Sequence, residues 1–195
     1  AAYCQTSADD RARRHAPLFA RQDRSGVSFG RPEELMGFRG VPSSDIYFEN
    51  AAVPADNVVV PAGGFRKLME AFDLERCGNA TMALAQAAGA LEDVLAYVQE
   101  RRQFGKPLVD FQAVQLKLAE MQMRVDASRL LIHRAASNAQ DGSPSILESS
   151  VAKCFANETA RECCGDAVQL MGGYGYSMEF DMQRHYRDCR SSTVA

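Results

Sequence analysis

Between Phe65 and Arg102 the chain carries no proline, and the middle of that run is crowded with small residues: Gly78, Ala80, Ala83, Ala85, Ala87, Ala88, Gly89 and Ala90. Such a stretch predicts one long helix whose small-residue face is buried only by drawing a neighbour close. Each glycine costs a helix interior roughly 1 kcal/mol relative to alanine, so Gly78 and Gly89 predict points where another backbone approaches. The helix is expected to be the tightly packed centre of a helical assembly.

The pattern stays helical almost to the end of the chain. From about Phe111 to Gln140, the residues Val114, Leu118, Met121, Val125, Ser128, Ile132 and Ala135 recur at alternating helical spacings, the stripe of a bundle helix. Met121 and Met123 are expected there as core filler. Asp141-Gly142-Ser143-Pro144 breaks the chain, and Ser145-Ile146-Leu147-Glu148 is a capping box opening a third helix. Its expected apolar positions include Ala152, Phe155, Thr159, Cys163, Ala167 and Leu170. Gly172-Gly173 ends that helix, and a shorter fourth one is expected around Glu179 to Arg190.

The first sixty residues follow a different rule. Pro17 to Gln22, Gly26 to Gly30 and Asp45 to Asn50 are short β-prone runs punctuated by Gly, Pro, Asp and Ser, and the chain opens in a further extended segment. Ala52-Val53-Pro54 and Val58-Val59-Val60-Pro61 continue that character. Such strands cannot bury both faces alone and need more strands or a helical partner. The basic cluster Arg11, Arg13, Arg14 and His15 is expected at a solvated hairpin tip. The sum is an α+β chain, mainly α.

Composition excludes several functions. A net charge of −3 and a pI near 5.7 give no electrostatic case for nucleic acid or an anionic membrane surface. No apolar run approaches the roughly 20 residues a spanning helix requires, and Ala1 to Asp10 shows no export signal. The six cysteines form no Cys-x-x-Cys pair, and the histidines lie far apart, so neither a disulfide framework nor a metal site is expected. Reduced, buried thiols favour a bacterial cytoplasm or the mitochondrial matrix.

Three clusters could carry chemistry. At the corner Glu100 to Gln112, arginines, an aromatic ring and a carboxamide crowd between two helices, as a phosphate-linked aromatic cofactor would need. The alternative is a basic turn whose cations suit the negative end of a helix. In Phe72-Asp73-Leu74-Glu75-Arg76, Asp73 and Arg76 share a face at i,i+3 and Glu75 projects elsewhere. A buried apolar pocket there would raise the Glu75 pKa and make it a usable base; a surface glutamate is the alternative. In Gln169 to Tyr176, three glycines allow a ligand to reach the backbone, or simply cap a helix.

The run ERRQFGKPLVDFQAVQLKLAEM, then DAVQLMGGYGYSMEF and RHYRDCR, preceded by FDLER and GFRGVPSSDIYFENAAVPADNVV, resembles the acyl-CoA dehydrogenase family in this order and spacing. The resemblance implies residues 1–62 as the C-terminal part of a β-barrel-like antiparallel middle domain. It implies 63–195 as an up-and-down four-helix bundle whose last helix is absent, so that the chain is a piece of a longer enzyme.

Carried over position by position, the resemblance implies that Arg101, Gln103 and Phe104 lie along the pyrophosphate and adenosine half of FAD. Phe111 and Gln112 would complete that wall, and Gln169, Gly172 and Gly173 would approach the same group, an FAD held by a neighbouring subunit of a homo-oligomer, a dimer or tetramer. Asp73 and Arg76 match residues near the pantetheine and thioester of an acyl-CoA substrate. The family places its catalytic glutamate either in the turn matching Phe72 to Arg76 or just beyond Arg187-Asp188; here Glu75 occupies the first location. The implied reaction is abstraction of the α-proton by Glu75 with transfer of the β-hydride to flavin N5, and electron-transfer flavoprotein as acceptor. A non-catalytic partner subunit completing the FAD site of a full-length dehydrogenase is the alternative, and retention of Glu75 argues against it. An enoyl-thioester reductase or a desulfinase on the same scaffold is a third reading.

Overall fold

The structure, a computed structural model, describes residues 2–5, 15–18, 23–61 and 64–194. The chain forms two compact units, one of residues 1–35 and 39–72, the other of residues 36–38 and 73–195. The expected boundary at 62–63 and the basic cluster at Arg11, Arg13 and Arg14 lie outside the described residues.

In the first unit, β1 (Ala2–Gln5) pairs antiparallel with β2 (His15–Leu18), and β3 (Val27–Phe29) with β4 (Ile46–Phe48). The β3–β4 ladder sets Val27 opposite Phe48 and Phe29 opposite Ile46. Phe29, Ile46, Tyr47 and Phe48 are all exposed, the behaviour expected of a two-stranded ladder without a second layer. A single 3-10 turn, Ala55–Asn57, interrupts the extended run before Pro61.

The proline-free stretch forms one helix, α1 (Phe65–Glu100). Residues from Asp73 onward belong to the second unit. Three more long elements follow: α2 (Gln112–Ser137), α3 (Ile146–Met171) and, after a single turn α4 (Gly173–Tyr176), α5 (Met182–Ser192). Between α1 and α2 lies a short hairpin, β5 (Arg102–Gln103) with β6 (Lys106–Pro107). Ser145 caps α3, accepting a hydrogen bond from the Glu148 amide at 3.2 Å, while its own hydroxyl approaches the Glu148 carboxylate at 3.4 Å. The N-cap half of the capping box is therefore formed as the Ser-x-x-Glu spacing predicts, and Glu148 turns back to the Ser145 hydroxyl instead of its amide.

Within the second unit, α1 and α3 run parallel and touch along their length. Ser149 meets Asp73, Asn157 meets Asn79, the Cys164 thiol meets the Gln86 carbonyl, and the Tyr97 hydroxyl meets the Met171 carbonyl. Numbers rise together on both helices, as they do for the first and third members of an up-and-down bundle. Between these polar pairs lie alanines: Ala80, Ala83, Ala87 and Ala90 on α1, and Ala152, Ala156, Ala160 and Ala167 on α3, all fully buried. Leu118, Met121, Val125 and Ile132 of α2 and Met182 and Cys189 of α5 close the core around them.

Several expectations need correction. Gly78 faces open space, and a Cβ on Gly89 would meet the His185 ring at 3.3 Å, so Gly89 is approached closely by a side chain and neither glycine by another backbone. On α2 the expected stripe is buried from Leu118 to Ala135, whereas Met123 lies on the opposite side, 65% exposed. On α3, Phe155 is exposed because the inward positions beside it are Ala152 and Ala156, and Leu170 is only partly buried.

Residues 36–38 are clamped onto α5. The Phe38 amide donates to Asp188 Oδ1 at 2.8 Å, and Arg187 Nη1 donates to the Met36 carbonyl at 2.6 Å. Gly37 is required there, since a Cβ would lie 2.6 Å from the Arg187 carbonyl oxygen.

Among the described residues no helix is long and apolar enough to cross a membrane and no cluster suits a metal ion. Burial pushes the Cys163 thiol up to about 11. Iodoacetamide at about pH 8.5 is expected to label exposed Cys154 and spare Cys163, because the thiolate is the nucleophile; peptide mass spectrometry showing equal labelling would contradict this. Ala87→Leu, which drives a bulky side chain into a fully buried core position, is expected to destabilise the fold by about 1–3 kcal/mol in urea unfolding.

Candidate functional site: a cleft at the bundle corner

α1 stops at Glu100, and the Arg101 amide still bonds the Tyr97 carbonyl at 2.9 Å. The chain then reverses through Phe104 and Gly105, both left-handed, with φ of 52° and 82°. Two successive residues of this kind make the tight hairpin whose twist suits flanking strands, and Phe104 is an unusual occupant of the first position. Its ring is 92% exposed. Phe111 stands edge-on to it, with centroids 6.3 Å apart, and Lys106 lies 4.2 Å over the Phe111 ring. The Lys106 ammonium also donates to the Asp110 carbonyl at 2.9 Å, fixing the corner before α2 begins.

Beside this hairpin the end of α3 arrives. Gly172 terminates the helix with φ 60°, and neither Gly172 nor Gly173 has anything within 4 Å of where a side chain would begin. The Tyr97 hydroxyl, 3.4 Å from the Met171 carbonyl, ties the two helix ends together. Burial pushes that hydroxyl up from its ordinary range, partly offset by the Arg101 charge, so it remains a proton donor at neutral pH.

A cleft of about 630 Å³ results, lined by Arg101 and Gln103 from the corner and by Gly172, Gly173 and Tyr174 from the α3 end. Four of the residues singled out in the sequence thus meet from two segments far apart in the chain. Phe104, Phe111, Gln112 and Gln169 do not line it: the first two form the hairpin's aromatic pair, and Gln112 and Gln169 are exposed in the first turn of α2 and the last turn of α3. Sequence reasoning gave no role to Tyr97 or Tyr174. Tyr97 precedes Arg101 by one helical turn, which was the available signal.

A larger groove of about 890 Å³ lies over α2, α3 and α5, lined by Lys117, Glu120, Arg124, Glu158, Arg161 and Glu162 among others. Most of its charges are paired with one another. Lys117 pairs with Asp166 at 2.7 Å, Arg124 with Glu120 at 2.6 Å and also with Glu162, and Arg161 with Glu158 at 2.9 Å. These pairs hold α2 to α3, and Arg190 at the same groove donates to the Thr193 hydroxyl at 2.8 Å, while Arg101 pairs with no carboxylate among the described residues.

The turn Phe72 to Arg76 has a structural part and an open part. Asp73, only 6% exposed, forms an ion pair with Arg76 and accepts from the Ser149 hydroxyl at 3.4 Å. Glu75 points away and is exposed, so the described residues do not desolvate it. Burial, and secondarily the Asp73 charge, push the neighbouring Cys77 thiol up.

The fold and the cleft define a helical domain that offers a guanidinium, a carboxamide and an open glycine backbone to an anionic ligand. Residues 62–195 match the family model described as acyl-CoA dehydrogenase, C-terminal domain, and the chain belongs to the acyl-CoA dehydrogenase family. It is 41% identical over 170 residues to the CarC subunit of the caffeyl-CoA reductase–Etf complex of Acetobacterium woodii, covering 87% of this chain and 45% of that protein. With a probable acyl-CoA dehydrogenase, FadE25, of Mycobacterium tuberculosis it shares 37% over 191 residues, 97% of this chain and 49% of the relative. The structure of butyryl-CoA dehydrogenase from Megasphaera elsdenii superposes with a TM-score of 0.93 at 34% identity, covering 98% of this chain and 50% of that one. The chain spans about half the length of the curated relatives it matches.

Asp73→Ala removes the partner of Arg76 and the acceptor of Ser149. It is expected to lower stability by roughly 1–3 kcal/mol, seen as a lower Tm. An unchanged Tm would show that the pair does not hold α1 to α3.

Proposed function

We propose that this chain serves an FAD-dependent acyl-CoA dehydrogenase, and the observation that carries the reading is the convergence of Arg101 and Gln103 with Gly172 and Gly173 on one cleft. These residues fit the proposed group, with Glu179 the one carboxylate in the cleft lining among the described residues. An unpaired guanidinium suits a pyrophosphate, a carboxamide can bond ribose or phosphate oxygens, and the open space above both glycines lets a ligand come down to the backbone. Phe104 and Phe111, the exposed hairpin's aromatic pair, and the exposed amides of Gln112 and Gln169 lie outside the cleft lining. An exposed aromatic tip and a half-open cleft suit an assembly in which the FAD is shared with a second copy of the chain, a homodimer or tetramer.

The substrate is an acyl-CoA thioester, with Asp73 and Arg76 toward its thioester end. The Glu75 carboxylate accepts the α-proton, which the thioester carbonyl acidifies. When bound, FAD supplies the acceptor for the β-hydride, and the product is a trans-2-enoyl thioester. Water exclusion around Glu75 then falls to the substrate and to groups other than those described, because its own surroundings leave it exposed. Similarity to a subunit of a complex containing Etf supports electron-transfer flavoprotein as the redox partner. Similarity to a caffeyl-CoA reductase subunit supports a second reading, the same proton and hydride positions used in the reductive direction. The free thiols support a reducing compartment, cytoplasm or mitochondrial matrix.

In the full-length protein, saturated acyl-CoA is expected to bleach the bound yellow flavin. Glu75→Gln is expected to slow that bleaching by at least about a hundredfold while FAD stays bound. Bleaching at the original rate in the variant would remove Glu75 from the mechanism; absence of bound flavin in the unmodified protein would remove the dehydrogenase reading.

A further inference from the structure

Arg101 does not enter the cleft as a free side chain. Its guanidinium carbon sits 5.5 Å from the centroid of the Tyr174 ring. Tyr174 is braced in turn: Tyr97 meets it edge-on, with centroids 6.2 Å apart and planes at 70°, and Phe180 packs at 5.0 Å and 53°. Tyr97 is anchored through its hydroxyl to the Met171 carbonyl. Three aromatic rings from α1, α4 and the loop before α5 therefore fix one cation. A guanidinium held over a ring face gives up none of its N–H donors to that contact, so all remain available to an oxyanion. The ring belongs to the very turn that begins at Gly172 and Gly173, where the backbone lies open.

Resting on the FAD reading above, we propose that Tyr174 is a positioning residue: braced by Tyr97 and Phe180, it holds Arg101 over its face and presents the guanidinium to the diphosphate of a nucleotide entering along Gly172–Gly173. Without the ring, Arg101 is a solvated side chain that must be ordered at the moment of binding. One turn thus both opens the backbone to the ligand and sets the cation that grips it.

The test uses the full-length protein stripped of flavin and titrated with ADP by calorimetry, which reads the phosphate half alone. Tyr174→Leu is expected to weaken ADP binding roughly three- to thirtyfold, the range of a cation–π contact plus lost pre-orientation. Tyr174→Phe keeps the ring and is expected to stay within about twofold of the original affinity. In an Arg101→Gln background, Tyr174→Leu is expected to add nothing further, because its effect runs through the arginine. An original ADP affinity in Tyr174→Leu overturns the proposal, as does equal loss in Tyr174→Phe or a fully additive double variant. If Tyr174→Leu does not fold, Tyr174→Met provides the same comparison. An unmodified protein that binds neither ADP nor FAD overturns the FAD reading and this role together, whereas binding with unchanged variants overturns this role alone.

Discussion

The helical unit depends on the parallel pairing of α1 with α3, tied by polar contacts at four levels from Asp73 with Ser149 to Tyr97 with Met171. Ala80, Ala83, Ala87 and Ala90 of α1 and Ala152, Ala156, Ala160 and Ala167 of α3 are all fully buried, and the larger Leu91, Val94 and Val98 of α1 and Cys163, Cys164 and Met171 of α3 join them in the core. Polar pairs at intervals, from Asp73 with Ser149 to Tyr97 with Met171, lock the register. Each buries little apolar area, so their value lies in satisfying groups that the close approach would otherwise strand. Asn157 shows the demand most plainly: its buried amide nitrogen donates to both Asn79 and the Ser192 carbonyl, while its Oδ1 has no partner among the described residues.

Register at one end of this contact becomes geometry at the other. Because α1 and α3 are parallel, their C-terminal ends finish side by side, and the chain leaves each through a tight turn, Phe104-Gly105 from one and Gly172-Gly173 from the other. A cation from the first and an open backbone from the second then share a cleft. An antiparallel pair would have put the two turns at opposite ends of the bundle. The Tyr97 to Met171 bond is the last link of the register and the first of the site.

The helices, the capping box at Ser145 and the α2 stripe from Leu118 to Ala135 were legible in the sequence, because each depends on neighbours three or four residues away. Errors arose where burial depends on a distant partner. Met123 and Phe155 carry apolar side chains at plausible helical positions, but the faces they occupy are not those covered by another helix. Gly78 meets open space, and Gly89 meets the His185 side chain where another backbone was expected. Arg101, Gln103, Gly172 and Gly173 could be singled out from residue type and from family resemblance, while Tyr97 and Tyr174 could not, since their importance comes only from being next to Arg101.

Local order along this chain is written in spacing: where helices begin and end, which turns need glycine, and which residue types could serve an anionic cofactor or abstract a proton. Those features act over a few residues, so the amino-acid order specifies them directly. The pairing of Arg101 with Tyr174, the tie of Asp73 to Ser149 and the exposure of Glu75 arise only when α1, α3 and the α4 turn are packed together. Each joins or separates groups that packing, and not local sequence preference, brings into range or keeps apart.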